Sequence, residues 1–337
     1  MEPFRAYRID RKEGRIVAGF ERLTLDDLGA GGVVVRVSHS TINYKDALAA
    51  TGAGNILRRF PLVGGIDLAG EVMSSDDADL APGTPVLVNG CGLGETVDGG
   101  YTEYARVDAG AVVPIPAGLS AFEAMQIGTA GYTAALAIHR MEQNGQQPGN
   151  GPVVVTGATG GVGSIAIDML AARGYEVVAV TGKGDGAAYL ESIGARRVLL
   201  RDDIEPDRRP LGKAEWAGAV DSLGGDLLAW LLRTTGYGGN IASIGLAASP
   251  ELRTTVLPFI LRAVCLLGIN SVDTPRDLRL AVWDRIGTDL RPRHLDAIGR
   301  RTIGFDELPG AFRAYLDGTV TGRTVVEIGA GPKEDTA

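Results

Sequence analysis

The sequence predicts an α/β chain of two domains, one built of short strands and one a doubly wound parallel sheet. Three observations predict it. Residues 153–183 read strand, glycine turn, helix and strand, the span of one βαβ unit. Strand and helix then alternate to residue 270, the pattern of a parallel sheet with helical crossovers. Residues 1–109 instead hold short β runs between glycine and proline turns, which suits a partly closed barrel or sandwich.

In the βαβ unit, Val153, Val154 and Val155 suit a strand buried on both faces. Gly157, Gly160 and Gly163 fall where a tight turn, a close approach to a pyrophosphate and helix–strand packing each forbid a Cβ. The free N–H groups of the helix that follows then meet the phosphates. The tip of the second strand selects the dinucleotide. It carries Thr181, Gly182 and Lys183 where NAD-selective sites place an acid. A third strand near 198–200 should lie beside it and ends in Arg201. Two charge-assisted hydrogen bonds of about 1.5–3 kcal/mol each favour NADPH over NADH by about two to four powers of ten. Asp185 is the residue that argues the other way, since it can turn back to the ribose.

The first domain is assigned 1–122 together with 274–337, and the nucleotide domain 123–273. The former has strands at 5–10, 33–39, 67–74, 84–88 and 101–107. Ser120 and Glu123 form a capping box opening a helix, and a second helix at 129–141 leads to a polar loop, 142–151. Later strands of the parallel sheet are 218–221, 240–244 and 264–270, with a helix near 227–234. The strand at 264–270 is the expected sheet edge, able to pair with a second copy in a homodimer. Helices at 278–286 and 305–316 precede a final strand, 323–328, expected to return to the first domain; the tail after Gly329 is expected to be disordered.

The chain has 337 residues, 45% hydrophobic and 22% charged, enough for two cores. A net charge of −8 and no dense Lys/Arg run argue against nucleic acid or an anionic membrane as partner. Cys91 and Cys265 offer neither a disulfide framework nor a four-cysteine zinc lobe, and a cytoplasmic location fits. No signal peptide and no run long enough to cross a membrane is read.

Several stretches together carry a resemblance. They are Gly157-Ala158-Thr159-Gly160-Gly161-Val162-Gly163, Ile42-Asn43-Tyr44-Lys45-Asp46-Ala47-Leu48, Gly65-Ile66-Asp67-Leu68-Ala69-Gly70, Thr181-Gly182-Lys183 and Pro258-Phe259-Ile260-Leu261-Arg262. The chain resembles the medium-chain dehydrogenase/reductase superfamily over nearly its whole length. Within it, the chain is similar to the zinc-independent acrylyl-CoA reductases, often named quinone oxidoreductases. The resemblance implies a GroES-like, partly open β-barrel catalytic domain and a Rossmann-type doubly wound parallel sheet. It implies cofactor contacts at Tyr44, Thr159, Gly160, Gly161, Val162, Thr181, Gly182, Lys183, Arg201, Leu246, Ile260 and Ser271. Thr181-Gly182-Lys183 departs from a frequent Ser-Gly-Arg and loses a planar fork, and Gly318 stands where an asparagine contact is expected. Zinc-dependent members hold metal through Cys and His at the stretches corresponding to Asn43-Tyr44-Lys45 and Gly65-Ile66-Asp67. His39, His139 and His294 lie far apart, none at ligand spacing, so no metal is expected.

What the resemblance implies is NADPH-dependent reduction of an activated carbon–carbon double bond, acryloyl-CoA to propanoyl-CoA. Hydride goes to the β-carbon and a proton to the α-carbon. Tyr44 is the first candidate to deliver that proton or to bond the nicotinamide ribose, with water as the rival donor. Asn43 can orient an oxyanion or cap a turn. Arg323 can enter the cleft or form a surface salt bridge. Asp67 reads as a buried carboxylate fixing a turn, Lys45 and Asp46 as a pair or a cap, and Cys91 as a loop residue. Arg58-Arg59 are candidates for a basic mouth that would receive CoA phosphates. Two other readings stand beside this one: an NADPH:quinone oxidoreductase, and a non-catalytic NADPH-binding redox sensor.

Overall fold

The computed structural model describes residues 2–204 and 209–329. The contacts separate unit 1 (Met1–Thr129, Val272–Ala281, Gly299–Ala337) from unit 2 (Ala130–Ser271, Val282–Ile298). The tail expected to be disordered lies outside the described residues beyond Gly329.

Unit 1 begins with a strand buried on both faces. β1 (Phe4–Lys12) packs Phe4 and Ala6 into one apolar cluster and Tyr7 and Ile9, on its other face, into a second, while its end is exposed. It pairs antiparallel with β2 (Arg15–Leu23) through Glu13 and Gly14, both at positive φ. β3 (Val33–Thr41) follows, then α1 (Tyr44–Thr51), β4 (Leu62–Val63), β5 (Asp67–Ser75), β6 (Pro85–Asn89), β7 (Tyr104–Val107) and β8 (Val113–Pro114). α2 (Ala121–Gln143) carries the chain into unit 2. The Ser120–Glu123 box forms as expected, with Glu123 N bonded to Ser120 Oγ at 3.1 Å and Ser120 N to Glu123 Oε2 at 2.8 Å.

Unit 2 alternates in the expected manner: β9 (Val153–Thr156), α3 (Gly161–Ala172), β10 (Val177–Thr181), α4 (Ala187–Ser192), β11 (Arg197–Leu200), β12 (Trp216–Asp221), α5 (Gly225–Thr234), β13 (Thr235–Ser243), α6 (Leu257–Arg262) and β14 (Cys265–Gly268). These strands form one parallel sheet in the order β11-β10-β9-β12-β13-β14, the doubly wound order of a Rossmann-type domain. Every residue of β9 and β10 is buried, which explains their unbroken valine runs. α7 (Arg276–Gly287) and α8 (Leu295–Ile298) lead to β15 (Arg301–Gly304), α9 (Leu308–Leu316) and β16 (Thr324–Glu327).

In unit 1, β15-β16-β3-β5-β6-β8 form a sheet with β7 also on β3, and β2-β1-β4 form a second. β16 pairs antiparallel with β3, Val325 opposite Thr41, so the last strand does return to the first domain. Tyr7, Tyr101 and Phe312 meet in the core, ring centroids 5.9–6.5 Å apart.

Two differences from the sequence reading have physical reasons. Residues 282–298 belong to unit 2, not to the first domain. Trp283 stacks on Tyr132 at 6.1 Å, Arg285 Nη2 donates to Glu142 at 2.7 Å, and the N–H groups of Arg293 and His294 donate to buried Asp168. The two helices expected at 120 and 129–141 are present, parted within α2 by the non-helical Gly128 (φ 49°, ψ −158°). β2, β15 and the full length of α1 were not anticipated; in β2 only Leu23 of the nine residues is buried, so the strand is fixed by its pairing with β1 and not by a buried apolar face.

Candidate active site

Unit 2 carries the candidate nucleotide site. Gly157 turns out of β9 at φ 61°, and Gly160 is the residue before α3. A Cβ on Gly163 would lie 2.4 Å from the carbonyl oxygen of Gly157, so the helix packs against the turn at a distance only glycine permits. Gly161 and Val162 are the first residues of α3, with their N–H groups at its positive end. Thr159 is buried just ahead of them. Beside the turn, Thr156 Oγ1 donates to Asp221 Oδ1 at 2.6 Å and accepts from Ser222 N at 3.0 Å, while Asp221 Oδ2 accepts from Gly224 N at 2.8 Å. This buried carboxylate, raised from its ordinary pKa by burial, ties the ends of β9 and β12 together, and sequence reasoning gave it no role.

Thr181 ends β10, and its Oγ1 accepts from Lys183 N at 3.0 Å. Arg201 follows β11, which pairs with β10 as expected. A Cβ on Gly182 would lie 3.3–3.5 Å from the Arg201 guanidinium. Lys183 and Arg201 therefore flank one strand tip that has no acid of its own. Desolvation lowers the Lys183 pKa, with Asp185 opposing. Arg201 is half-exposed, its Nε 3.2 Å from Asp202. Leu246, in the loop after β13, and Ile260, in α6, are exposed apolar residues, and Ser271 ends the first segment of unit 2.

Unit 1 carries a separate candidate cluster, where the end of β3 runs into α1. Asn43 precedes the helix and Tyr44 is its first residue, 48% exposed. Beneath them two carboxylates and one guanidinium are fully buried. Asp46 accepts from Asn43 N at 2.8 Å and Ile66 N at 2.9 Å. Asp67 Oδ1 accepts from Thr129 N and Oγ1 at 2.8 and 2.7 Å, and its Oδ2 from Asn43 Nδ2 at 2.7 Å. Arg323 is 2% exposed. It donates to Asn43 Oδ1 at 2.9 Å, Thr41 Oγ1 at 2.8 Å, Gln126 O at 3.2 Å and Ile42 O at 3.4 Å, and lies 3.9 Å from Asp67. Burial pushes Asp46 up to about 7, with Asp67 adding to it and the N–H donors of Asn43 and Ile66 opposing. Burial raises Asp67 as well, against Arg323 and the Thr129 and Asn43 donors.

This arrangement corrects two expectations. Arg323 is neither an open cleft group nor a surface ion pair, because its strand buries it and backbone and side-chain acceptors take its donors. Asn43 has both ends of its amide engaged, nitrogen to carboxylates and oxygen to Arg323, so it supports the turn and has nothing left for an oxyanion. Asp46 and Asp67, read only as a cap and a turn residue, are the centre of the network. At the suggested basic mouth, Arg59 pairs with Asp98 at 3.1 Å and Lys45 with Glu95 at 2.8 Å, leaving Arg58 exposed. Cys91 lies in its loop at φ 53°, its N–H on Val272 O at 2.9 Å.

A parallel sheet with a phosphate-fitting glycine turn, coupled in one chain to a strand-rich unit whose exposed phenol sits on a buried ionic network, defines a two-domain nucleotide-dependent oxidoreductase. Residues 161–286 match the family described as zinc-binding dehydrogenase, and residues 29–117 the alcohol dehydrogenase GroES-like domain. Acrylyl-CoA reductase AcuI of Ruegeria pomeroyi is 46% identical over 330 residues, 97% of this chain and 100% of that protein. YhfP of Bacillus subtilis, provisionally named a quinone oxidoreductase, is 46% identical over 326 residues, 96% of this chain and 99% of its own. The yhdH oxidoreductase of Salmonella enterica, solved in complex with NADP, superposes with a TM-score of 0.93 at 44% identity, covering 96% of this chain and 100% of that one. The chain belongs to the medium-chain dehydrogenase/reductase superfamily, in its acrylyl-CoA reductase and quinone oxidoreductase-like family.

The zinc in one matched description does not fit the residues present. Around Asn43 and Asp67 the donors are an amide, a phenol, a guanidinium and carboxylates that already accept N–H groups. His39, His139 and His294 bond separately to Ser38, Arg285 and Asp168. Among the described residues no cluster of His, Cys, Asp and Glu is placed to hold a metal ion, and no helix is long and apolar enough to cross a membrane.

Proposed function

We propose that the protein reduces an activated carbon–carbon double bond with NADPH and without metal, and that its substrate is a short enoyl thioester, acryloyl-CoA giving propanoyl-CoA. The observation that carries the reading is the strand tip in unit 2, where Lys183 and Arg201 flank Gly182 and Thr181-Gly182-Lys183 itself carries no acid, Asp185 and Asp202 standing after it and after Arg201. An acid would repel a 2′-phosphate, whereas this pair attracts it. NADPH supplies hydride when bound. The α3 terminus would hold the pyrophosphate, with Gly160 admitting its close approach and Gly157 and Gly163 shaping the turn against the helix. With no Lewis acid in the donor set of unit 1, the acceptor must already be polarised by conjugation, as an enoyl thioester or a quinone is. Tyr44 keeps its phenol accessible on a rigid helix start, the character of a group that delivers a proton to the substrate α-carbon or bonds the cofactor ribose.

The relatives' names support both acceptor classes, so quinone reduction is the second reading. The test is NADPH oxidation with acryloyl-CoA, crotonyl-CoA and a small quinone in parallel, a chelator present throughout. Preference for acryloyl-CoA is expected; quinone-only turnover moves the assignment, and silence with all three despite tight NADPH binding would leave a binding protein. Tyr44→Phe is expected to lower turnover about tenfold or more, and an unchanged rate removes the phenol from the mechanism.

A homodimer through the sheet edge belongs to the same reading. β14 has a free edge, and Val256 and Leu261 beside it are 64% and 59% exposed, so a second copy pairing there would cover both. Leu261→Glu should halve the mass seen by light scattering, and an unchanged mass would reject this edge.

A further inference from the structure

We propose that Asp67 is a positioning residue, a buried clamp that fixes the turn carrying Tyr44 to the break in α2 and thereby sets where the phenol works. The inference rests on the role given to Tyr44 above. Asp67 opens β5 and is wholly buried. Its two oxygens divide the task. Oδ1 takes both donors of Thr129, and Oδ2 takes the amide of Asn43, the residue before Tyr44. Asp46, two residues after Tyr44, accepts from the Asn43 N–H and from Ile66, the residue before Asp67. Tyr44 is thus held on both sides in sequence while its own ring stays exposed.

The other end of the clamp is as closely fitted. At Gly128 the chain takes φ 49°, and a Cβ there would come within 2.6 Å of Arg323 Nη2 and 3.0 Å of Asp67 Oδ2. Thr129 is the last residue of unit 1 before the chain enters unit 2, and Gly299 the first on its final return. Gly299 joins the same network, since its carbonyl accepts from Gln126 Nε2 at 3.2 Å and the Gln126 carbonyl accepts from Arg323. For stability alone, two buried carboxylates and a guanidinium are a poor choice, because apolar residues of the same volume often do as well or better. What the polar set provides instead is direction. Each oxygen of Asp67 has its own donor residue, Thr129 for Oδ1 and Asn43 for Oδ2, so the β3–α1 turn, β5, the α2 break and β16 take one register.

The test uses the full chain with fluorotyrosine placed only at position 44. In Asp67→Asn an amide nitrogen must face either Asn43 Nδ2 or the Thr129 N–H, which breaks one arm of the clamp while keeping the shape. The expected result is a shifted or broadened fluorine resonance at position 44 and a fall in kcat of about tenfold. In a Tyr44→Phe background the same change should cost less than about twofold, the non-additivity of residues acting as one unit. Thr129→Val, which removes only the hydroxyl donor, should move the resonance in the same direction with a smaller loss, and it decides the matter if Asp67→Asn does not fold. An unmoved resonance with unchanged kcat overturns the proposal, as does an equal loss of kcat in both backgrounds. If Tyr44→Phe alone changes nothing, the role of the phenol is wrong, yet the fluorine resonance still reports whether Asp67 holds the turn.

Discussion

Replacing Arg323 by Met tests whether the buried network is an energetic unit. The change removes the guanidinium 3.9 Å from Asp67 and four hydrogen bonds, to Asn43 Oδ1, Thr41 Oγ1, Gln126 O and Ile42 O. Asp46 and Asp67 remain buried without it. Breaking a buried pair from one side costs about 3–5 kcal/mol, largely the desolvation of the charge left behind. The methionine recovers some apolar contact, so a net loss of about 3 kcal/mol is expected. All three tryptophans, Trp216, Trp230 and Trp283, lie in unit 2. Their fluorescence therefore reports unit 2; tyrosine near-ultraviolet dichroism has contributions from both units, and the part that melts apart from the fluorescence, to which Tyr7 and Tyr101 in the core of unit 1 contribute, reports the other. With a urea slope of about 2 kcal/mol/M, the tyrosine transition should fall by about 1.5 M. Adding Asp67→Asn to Arg323→Met removes a charge that has lost its partner and should restore part of the loss. A midpoint change under about 0.3 M, or a double variant no more stable than the single, would refute the assignment of Arg323 to a coupled buried cluster.

Three further outcomes follow from the same structure. Lys183→Ala with Arg201→Ala should raise the dissociation constant for NADPH about a hundredfold, the low end for two charge-assisted bonds because Arg201 is half-exposed, and barely change that for NADH; fluorescence titration of both nucleotides checks it, and equal effects reject the phosphate clamp. Gly163→Ala places a Cβ 2.4 Å from Gly157 O, so NADPH affinity should drop at least about tenfold while far-ultraviolet dichroism keeps its shape. Asp46 is raised from 3.8 to about 7, so the folded chain keeps a proton the unfolded chain has released. Its contribution is full below the ordinary carboxylate range and is lost as pH rises through about 7. Asp46→Asn should therefore flatten the fall in stability between these pH values, measured by urea midpoints, and a slope identical to the parent would show that Asp46 is ionised throughout.

The nucleotide half of the site was legible because its chemistry is local. Glycines three residues apart after a valine strand, a helix and then a strand ending in Thr181-Gly182-Lys183 each state a backbone requirement that the next few residues meet. Even Arg201 could be placed, since strand order in a doubly wound sheet is nearly fixed. The other half was legible in its residues and not in its connections. Asn43, Tyr44 and Arg323 were singled out, yet the partner of Asn43 is 24 residues away at Asp67 and that of Arg323 some 280 residues away at Asn43. A carboxylate in a glycine-flanked strand looks alike in sequence whether it caps a turn or carries a network. What distinguishes the two is whether a guanidinium arrives on another strand. That strand is β16, and its pairing with β3 brings Thr324 and Val325 beside Thr41, which sets Arg323 under the start of α1. The register of one late strand thus converts a residue suited to meet substrate into one that holds the turn before Tyr44. For the same reason Asn43 and Arg323 should respond to substitution together with Asp67, and not as independent members of a catalytic set.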